Sequence, residues 1–486
     1  MSLKRKAFIG LVWSVIQNFG NQAFSLIIFL VLARLLTPAT FGLIALANVV
    51  LAFMRIFLDQ GFTKALIQRQ NIEPEHLDTA FWTQVGCGVL LTTITFLSAS
   101  LVAGIFKQPK LIEVLQCLSA IFIINSLSRV HNAILSREFA FKIIALRSLL
   151  ATVIGGIVGV TMAYAGFGVW SLVVFNLTSE LVASVVLWNA VEWRPKWQFS
   201  HAHFRDLYGF GMYIFAFKFL KFFEKRADNL LIGYFLGEVA LGYYAIAYRI
   251  LEVMTQLLVD TIDKVALPTF SRLQTEPERF GSLFYKTTQF TSLITFPTYL
   301  GVVVLAPELT ISLFGKQWIP ATGIMQILAF EGIVLSATYF HKSVFVSMGK
   351  PSWSVRVSLL NATVNLIACL VAVRHGIIAV ATAYIISSYL VFPISQWVVN
   401  KLLKINLLTY LKQFVTPLIS SIVMMGAIWT AKRYWLEAID PKLSIIVGTV
   451  IGVSVYALGI KILEPQLFVR TWKFVKFSTA KKKRTA

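Results

Sequence analysis

Two stretches lying 200 residues apart carry one pattern: LLTPATFGLIALA (Leu35–Ala47) and FLGEVALGYYAIA (Phe235–Ala247). Leu36 matches Leu236, Gly42 matches Gly242, Ala45 matches Ala245 and Ala47 matches Ala247. A second block follows at an offset of 210, where SLLATVIGG (148–156) and SLLNATVNL (358–366) share their opening residues and Gly166 matches Gly376. Six apolar spans separate the copies. Six is even, so both halves run the same way through a bilayer. Parallel repeats about an axis along the membrane normal are a transporter architecture, with the substrate site between the halves.

The composition agrees. Of 486 residues 57% are hydrophobic and 14% charged, whereas a soluble chain carries about 25% charged residues. Mean hydropathy is +0.75. A span needs about 20 mostly apolar residues, and about fourteen such runs are present, near 9–36, 41–59, 80–104, 111–135, 146–165, 168–189, 207–236, 239–262, 285–305, 318–346, 353–373, 376–398, 410–431 and 443–462. The expected fold is therefore an all-α polytopic membrane protein. Residues 1–200 and 201–405 form two parallel six-helix lobes around a central cavity, 406–465 an extra helix pair, and 466–486 a basic tail.

With the N-terminus inside, the cytoplasmic loops hold about 28 Lys and Arg residues and the outer loops about 8, which places both termini in the cytoplasm. The net charge of +22 is thus topological and does not signal nucleic acid. Lys4, Arg5 and Lys6 precede a first apolar run too long for a cleaved signal, so it is read as a retained helix. Cys87, Cys117 and Cys369 sit in apolar runs with no disulfide or metal spacing. No metal, cofactor or catalytic residue is expected.

One span is out of character. YIFAFKFLKFFEKRADNLLIGYFLG (Tyr213–Gly237) carries Lys218, Lys221, Glu224, Lys225, Arg226 and Asp228. Six charges in a bilayer cost about 15–20 kcal/mol, and the apolar neighbours return about 6. Lipid exposure loses, so the charges must face protein or a water-filled path, where intramembrane charge marks a substrate route. Lys218, Lys221 and Lys225 share one helix face. Lys221 is spaced to meet Glu224, and Lys225 to meet Asp228. That leaves an excess of about two positive charges. Arg249 and Glu252 pair at the same spacing in the next span. Arg55 and Arg129 lie toward the cytoplasmic ends of spans two and four, and Glu331, His341 and Lys342 in span ten. Substrate binding is expected of Lys218, Lys221, Lys225, Arg226 and Arg249. Cavity or ion-coupling positions are Asp228, Glu252, Glu331, His341, Arg55 and Arg129. Each also has a structural reading, as an interhelical rung or a snorkelling arginine. Together they describe a cationic interior that draws anions.

These residues resemble a known family. The basic first helix, LVLARLLTPATFGLIALA, ADNLLIGYFLGEVALGYYAIAYRI and LPTFSRLQ are similar to the polysaccharide transporters of the multidrug/oligosaccharidyl-lipid/polysaccharide exporter superfamily. Exporters of colanic acid, teichuronic acid and O-antigen units are the nearest group. The resemblance spans about 1–400, and its most specific part runs from Asp228 to Tyr244. It implies a flippase in the bacterial plasma (inner) membrane that moves an undecaprenyl-pyrophosphate-linked oligosaccharide to the outer leaflet. Membrane lipids and polysaccharide polymerase machinery are the implied partners. The extra helix pair is similar to that of lipid II flippases, where it forms a lipid-tail groove. Tyr213, Phe217 and Phe222 are candidates for stacking on sugars, with lipid or core packing the commoner role of such aromatics. Gly209, Gly211, Pro297 and Pro393 are candidate hinges, although breakers are common in membrane helices.

Rival classes fit less well. A membrane glycan polymerase or ligase needs a long outer loop, and the loops here reach only about 20 residues. No phosphate-loop motif for ATP is present. A drug-cation antiporter of the same superfamily calls for an acidic cavity, opposite in sign to the stripe.

Overall fold

The computed structural model describes residues 3–58, 61–69, 71–436 and 439–469, apart from the side chains at 3–9, 11–12, 206–217, 260–261, 264–265 and 436. The described chain is helical and falls into two compact units, residues 1–245 with 369–377, and residues 246–368 with 378–486.

The first unit holds α1 (Leu3–Leu35), α2 (Pro38–Leu58), the short α3 (Phe62–Gln68), α4 (Pro74–Phe106), α5 (Leu111–Arg137), α6 (Phe141–Tyr164), α7 (Val169–Ala190), α8 (His201–Phe235) and the first turns of α9 (Gly237–Leu258). Helix pairs α4–α5 and α6–α7 pack as hairpins, α1 lies on α6, and α8 lies on α2, α3 and α4. Small residues allow these approaches. Gly156 receives Ile28, and Gly155 and Gly159 receive Ser179 and Phe175. The polar residues of α1 have a use: Asn21 accepts a hydrogen bond from Thr152 of α6.

Bonds among the connectors fix which helix ends coincide. Arg137 donates to the carbonyls of Leu66 and Arg69. The amides of Lys196 and Ser200 donate to Asp78 and Thr79, at 3.0 and 3.1 Å. The α2–α4, α5–α6 and α7–α8 connectors therefore share one end of the unit. At the other end, Thr37, Gln108, Lys110, Gly166, Phe167, Trp170 and Glu238 ring one cavity, so the remaining connectors meet there. Successive long helices run in opposite directions, as a chain threading a bilayer must.

The repeat has a physical counterpart. A Cβ at Gly42 would strike the backbone carbonyl of Glu238, and one at Gly242 would strike the carbonyl of Pro38. The two matched glycines thus sit at a backbone-to-backbone crossing of α2 and α9. Gly166 and Gly376, the other matched pair, both adopt positive φ, 84° and 95°.

The second unit contains the rest of α9, α10 (Asp260–Arg272), α11 (Pro277–Leu313), α12 (Ala321–Ala329), α13 (Glu331–Thr338), α14 (His341–Ser347), α15 (Pro351–Ala372), α16 (Ile377–Leu403), α17 (Leu407–Ala431) and α18 (Pro441–Leu463), less the part of α15 and α16 that joins the first. Its core is aromatic: Phe270, Phe280, Phe284, Phe296, Phe340, Phe345, Tyr410 and Phe414. The final pair, α17 and α18, packs on α11, and Lys432 meets Glu308 at 2.8 Å.

Twelve helical stretches among the described residues are long and apolar enough to cross a membrane. The sequence count of about fourteen adds α8 and α9, which have the length but carry the stripe charges and the Arg249–Glu252 pair. The span expected at 318–346 is three short helices, broken at Phe330 and at Tyr339–Phe340. Pro297 and Pro393, by contrast, lie inside unbroken α11 and α16.

Candidate functional site

Helix α8 starts at Ser200, whose hydroxyl caps the His203 amide. Its 35 residues extend about 52 Å at 1.5 Å per residue, well beyond the ~30 Å hydrocarbon layer. Lys218 stands at its midpoint, and the charges continue to Asp228. Aromatic packing holds this segment down: Phe222 is buried with Val49, Phe53 and Ile56 of α2.

The predicted Lys221–Glu224 pair is present at 2.7 Å. The Lys225–Asp228 pair is not. Asp228 is buried, and accepts a 2.7 Å hydrogen bond from the Tyr244 hydroxyl and a 2.8 Å bond from the Asn229 amide. The reason is the helix face. Ala227, Asp228 and Asn229 turn inward against α9, while Lys225 and Arg226 are exposed. Asp228 therefore latches α8 to α9. The segment from Lys218 to Asp228 carries four cations (Lys218, Lys221, Lys225, Arg226) and two carboxylates, a formal excess of two positive charges, and Asp228 still acts electrostatically on Arg226.

The latch is open to test. Tyr244→Phe leaves a buried carboxylate oxygen short of its donor, and is expected to lower stability by about 1–3 kcal/mol. Thermal unfolding in detergent measures this, and Asp228→Asn added to Tyr244→Phe should cost less than the two separate losses summed. Additive losses would mean that the two side chains act independently.

A second cationic group lies in the first unit. Arg55 of α2 reaches Glu180 of α7 at 3.5 Å, and the same carboxylate acts electrostatically on Arg129 of α5 and Arg147 of α6. Three guanidiniums share one anion. Sequence reading singled out Arg55 and Arg129 but not Arg147. Only the packing of four helices brings these residues together, at separations reaching 125 positions.

In the second unit Arg249 pairs with Glu252 at 2.8 Å, as the spacing predicts. His341 is buried, with Nδ1 at 3.2 Å from Ser395 and Nε2 at 2.9 Å from Gln396. It stands within the aromatic core beside Phe284 and Phe345. Glu331 opens α13 just past the break, and its Oε2 has no hydrogen-bond partner. Lys342 is exposed. Tyr213, Phe217, Gly209 and Gly211 fall outside the described side chains.

The sequence reading also missed a group at the end of the unit where the α2–α4 and α7–α8 connectors meet. Glu73, His76 and His203 bring ligand atoms within 4.8 Å of one another. Their lone pairs already have work. His76 Nδ1 accepts the Glu73 amide in a capping box, and His203 Nε2 meets the Glu73 carboxylate at 3.1 Å. Neutral His76 then carries its proton on Nε2, which leaves that ring no ready lone pair for a metal. The group ties the starts of α4 and α8.

With this geometry in place, comparison with known proteins is informative. A family model described as "Polysaccharide biosynthesis protein" matches residues 31–323, more than half of the chain. The chain belongs to that family. The polysaccharide biosynthesis family member is 24% identical over 451 residues to teichuronic acid biosynthesis protein TuaB of Bacillus subtilis, covering 90% of this chain and 92% of TuaB. It is 25% identical to succinoglycan biosynthesis transport protein ExoT of Rhizobium meliloti, over 94% and 93% of the two chains. It is 27% identical to lipopolysaccharide biosynthesis protein WzxC of Escherichia coli, over 69% of each. Its fold matches that of the lipid II flippase MurJ in an inward closed conformation (TM-score 0.77, 15% identity, 94% of this chain and 99% of that one). An inward-facing multidrug-resistance MATE transporter follows at TM-score 0.62, 16% identity, and 82% and 99% coverage.

Proposed function

We propose that this protein is a flippase that carries a lipid-linked oligosaccharide, anchored through pyrophosphate, from the inner to the outer leaflet of a bacterial plasma membrane for surface polysaccharide synthesis. The observation that carries the reading is the α8 stripe: four cations between 218 and 226 against the two carboxylates Glu224 and Asp228. A doubly charged headgroup cannot cross ~30 Å of hydrocarbon unaided, and Lys and Arg are its natural partners. Lys218, Lys221, Lys225 and Arg226 hold the anion midway along α8. Arg55, Arg129 and Arg147 make the route on the cytoplasmic side attractive to the same charge. The two lobes then alternate in access while the headgroup stays solvated by protein. The kinship with proteins named for polysaccharide synthesis and transport supports this reading, and the MATE-like fold alone does not decide cargo. A cation antiporter is disfavoured because the stripe repels its substrate.

The test is reconstitution into vesicles loaded with a fluorescent pyrophosphate-linked oligosaccharide. The protein is expected to expose the label to an external quencher at a rate well above that of empty vesicles. Uptake of an organic cation with no movement of the glycolipid would overturn the reading.

A further inference from the structure

The outer end of the first unit, away from the cytoplasmic connectors, carries a site that the anion-transfer reading leaves unused. Four connectors close around a cavity of about 540 Å³ lined by Thr37, Gln108, Lys110, Glu113, Trp170 and Glu238. We propose that this cavity binds a pyranose unit of the glycan. The inference rests on the reading of the protein as a handler of lipid-linked oligosaccharide, and it names a subsite for the sugar separate from the one for the phosphate.

The chemistry points that way for three reasons. First, the charge is wrong for the anchor. Glu113 and Glu238 outnumber Lys110, which gives a net of −1, whereas the stripe is positive by two. An uncharged polyol suits this wall better than a phosphate does. Second, the lining matches a sugar ring. Indole offers a flat apolar face with a polar edge, suited to the C–H face of a pyranose. Carboxylates accept from vicinal hydroxyls, and the Gln108 amide both donates and accepts. The volume lies within the ~300–1,000 Å³ range of small-molecule pockets.

Third, the wall is pre-formed. Gly166 and Gly168 take positive φ, 84° and 55°, and the turn they make is closed by bonds from Phe167 N to Met162 O and from Trp170 N to Phe167 O. That turn delivers Trp170 to the cavity. Opposite, Glu238 is fixed twice, by its carbonyl against Gly42 and by a hydrogen bond from Gln108 to its carboxylate. A sugar hydroxyl that replaces Gln108 at that carboxylate exchanges one hydrogen bond for another, and the freed, half-buried Gln108 amide can bond a second hydroxyl.

Saturation-transfer NMR on the full chain in nanodiscs tests this, with cellobiose, maltose and lactose as probes and inorganic pyrophosphate as competitor. At least one disaccharide should take up saturation from the protein. The signal should fall about tenfold in Trp170→Ala, the loss expected for a stacked ring. It should fall similarly in Glu113→Lys, which alters an exposed residue and leaves the core untouched. Pyrophosphate should not displace the sugar. No signal from any probe, a signal unchanged in Trp170→Ala, or displacement by pyrophosphate would overturn the proposal. The Lys218/Lys221/Lys225→Gln variant should bind the disaccharide as the parent does. Sugar binding with normal translocation in that variant would reject the anion stripe and keep this site. Lost translocation with sugar binding indifferent to Trp170 would do the reverse.

Discussion

Replacing Lys218, Lys221 and Lys225 together with glutamine is expected to cut translocation of a pyrophosphate-linked oligosaccharide by about 100-fold or more. A hydrogen bond to a charged group contributes about 1.5–3 kcal/mol, and each ~1.4 kcal/mol is tenfold in rate, so the loss of even two such contacts reaches that figure. Glutamine keeps the length and helix propensity of lysine, and none of the three positions is buried. The variant should therefore insert and elute as the parent does. The single variants should not be equal. Lys221 already spends part of its charge on Glu224 at 2.7 Å, so Lys221→Gln is the mildest change at the cargo and also strands a carboxylate. Glu224→Gln, which frees Lys221, should tighten binding of pyrophosphate. Full activity in the triple variant would remove α8 from the mechanism.

Gly42→Val and Gly242→Val are each expected to prevent accumulation of folded protein. A new Cβ at Gly42 has the Glu238 carbonyl in its way, with the Glu238 Cα at 3.0 Å; one at Gly242 has the Pro38 carbonyl carbon at 2.9 Å and the Gly42 amide nitrogen at 3.2 Å. These obstacles are backbone, with no rotamer to escape into. Overpacking a well-filled site costs about 1–3 kcal/mol for modest additions, and a branched side chain against a carbonyl exceeds that. Close backbone approach through small residues is also how membrane helices associate. Gly301, where an added Cβ meets nothing within 4 Å, makes the control: Gly301→Ala should accumulate normally. Size-exclusion profiles of fluorescent fusions would report all three. Normal yield of Gly42→Val would mean that α2 and α9 do not cross there.

What the sequence revealed follows from the range of each interaction. The Lys221–Glu224 and Arg249–Glu252 pairs follow from helix geometry at three residues' spacing. The matched glycines at 42 and 242 were visible as a repeat, although their mutual contact was not. The Lys225–Asp228 pairing failed because the partner of Asp228, Tyr244, stands on the far side of the α8–α9 turn, beyond any local spacing. The convergence of Arg147 and Glu180 with Arg55 and Arg129 depends on four helices packing. The break at Phe330 has only Gly332, two residues on, to announce it, whereas Pro297 and Pro393, named as hinge candidates, lie in helices that run on unbroken.

Helix α8 rests on α2, α3 and α4, all of which leave the ribosome before it. A segment with so much charge partitions poorly from the translocon into lipid, yet its seat is already assembled when it emerges. Its uptake is sideways, into finished protein, and the order of synthesis becomes a condition of membrane integration. A circularly permuted gene that made α8 first would hand the insertion machinery a helix with nowhere to go.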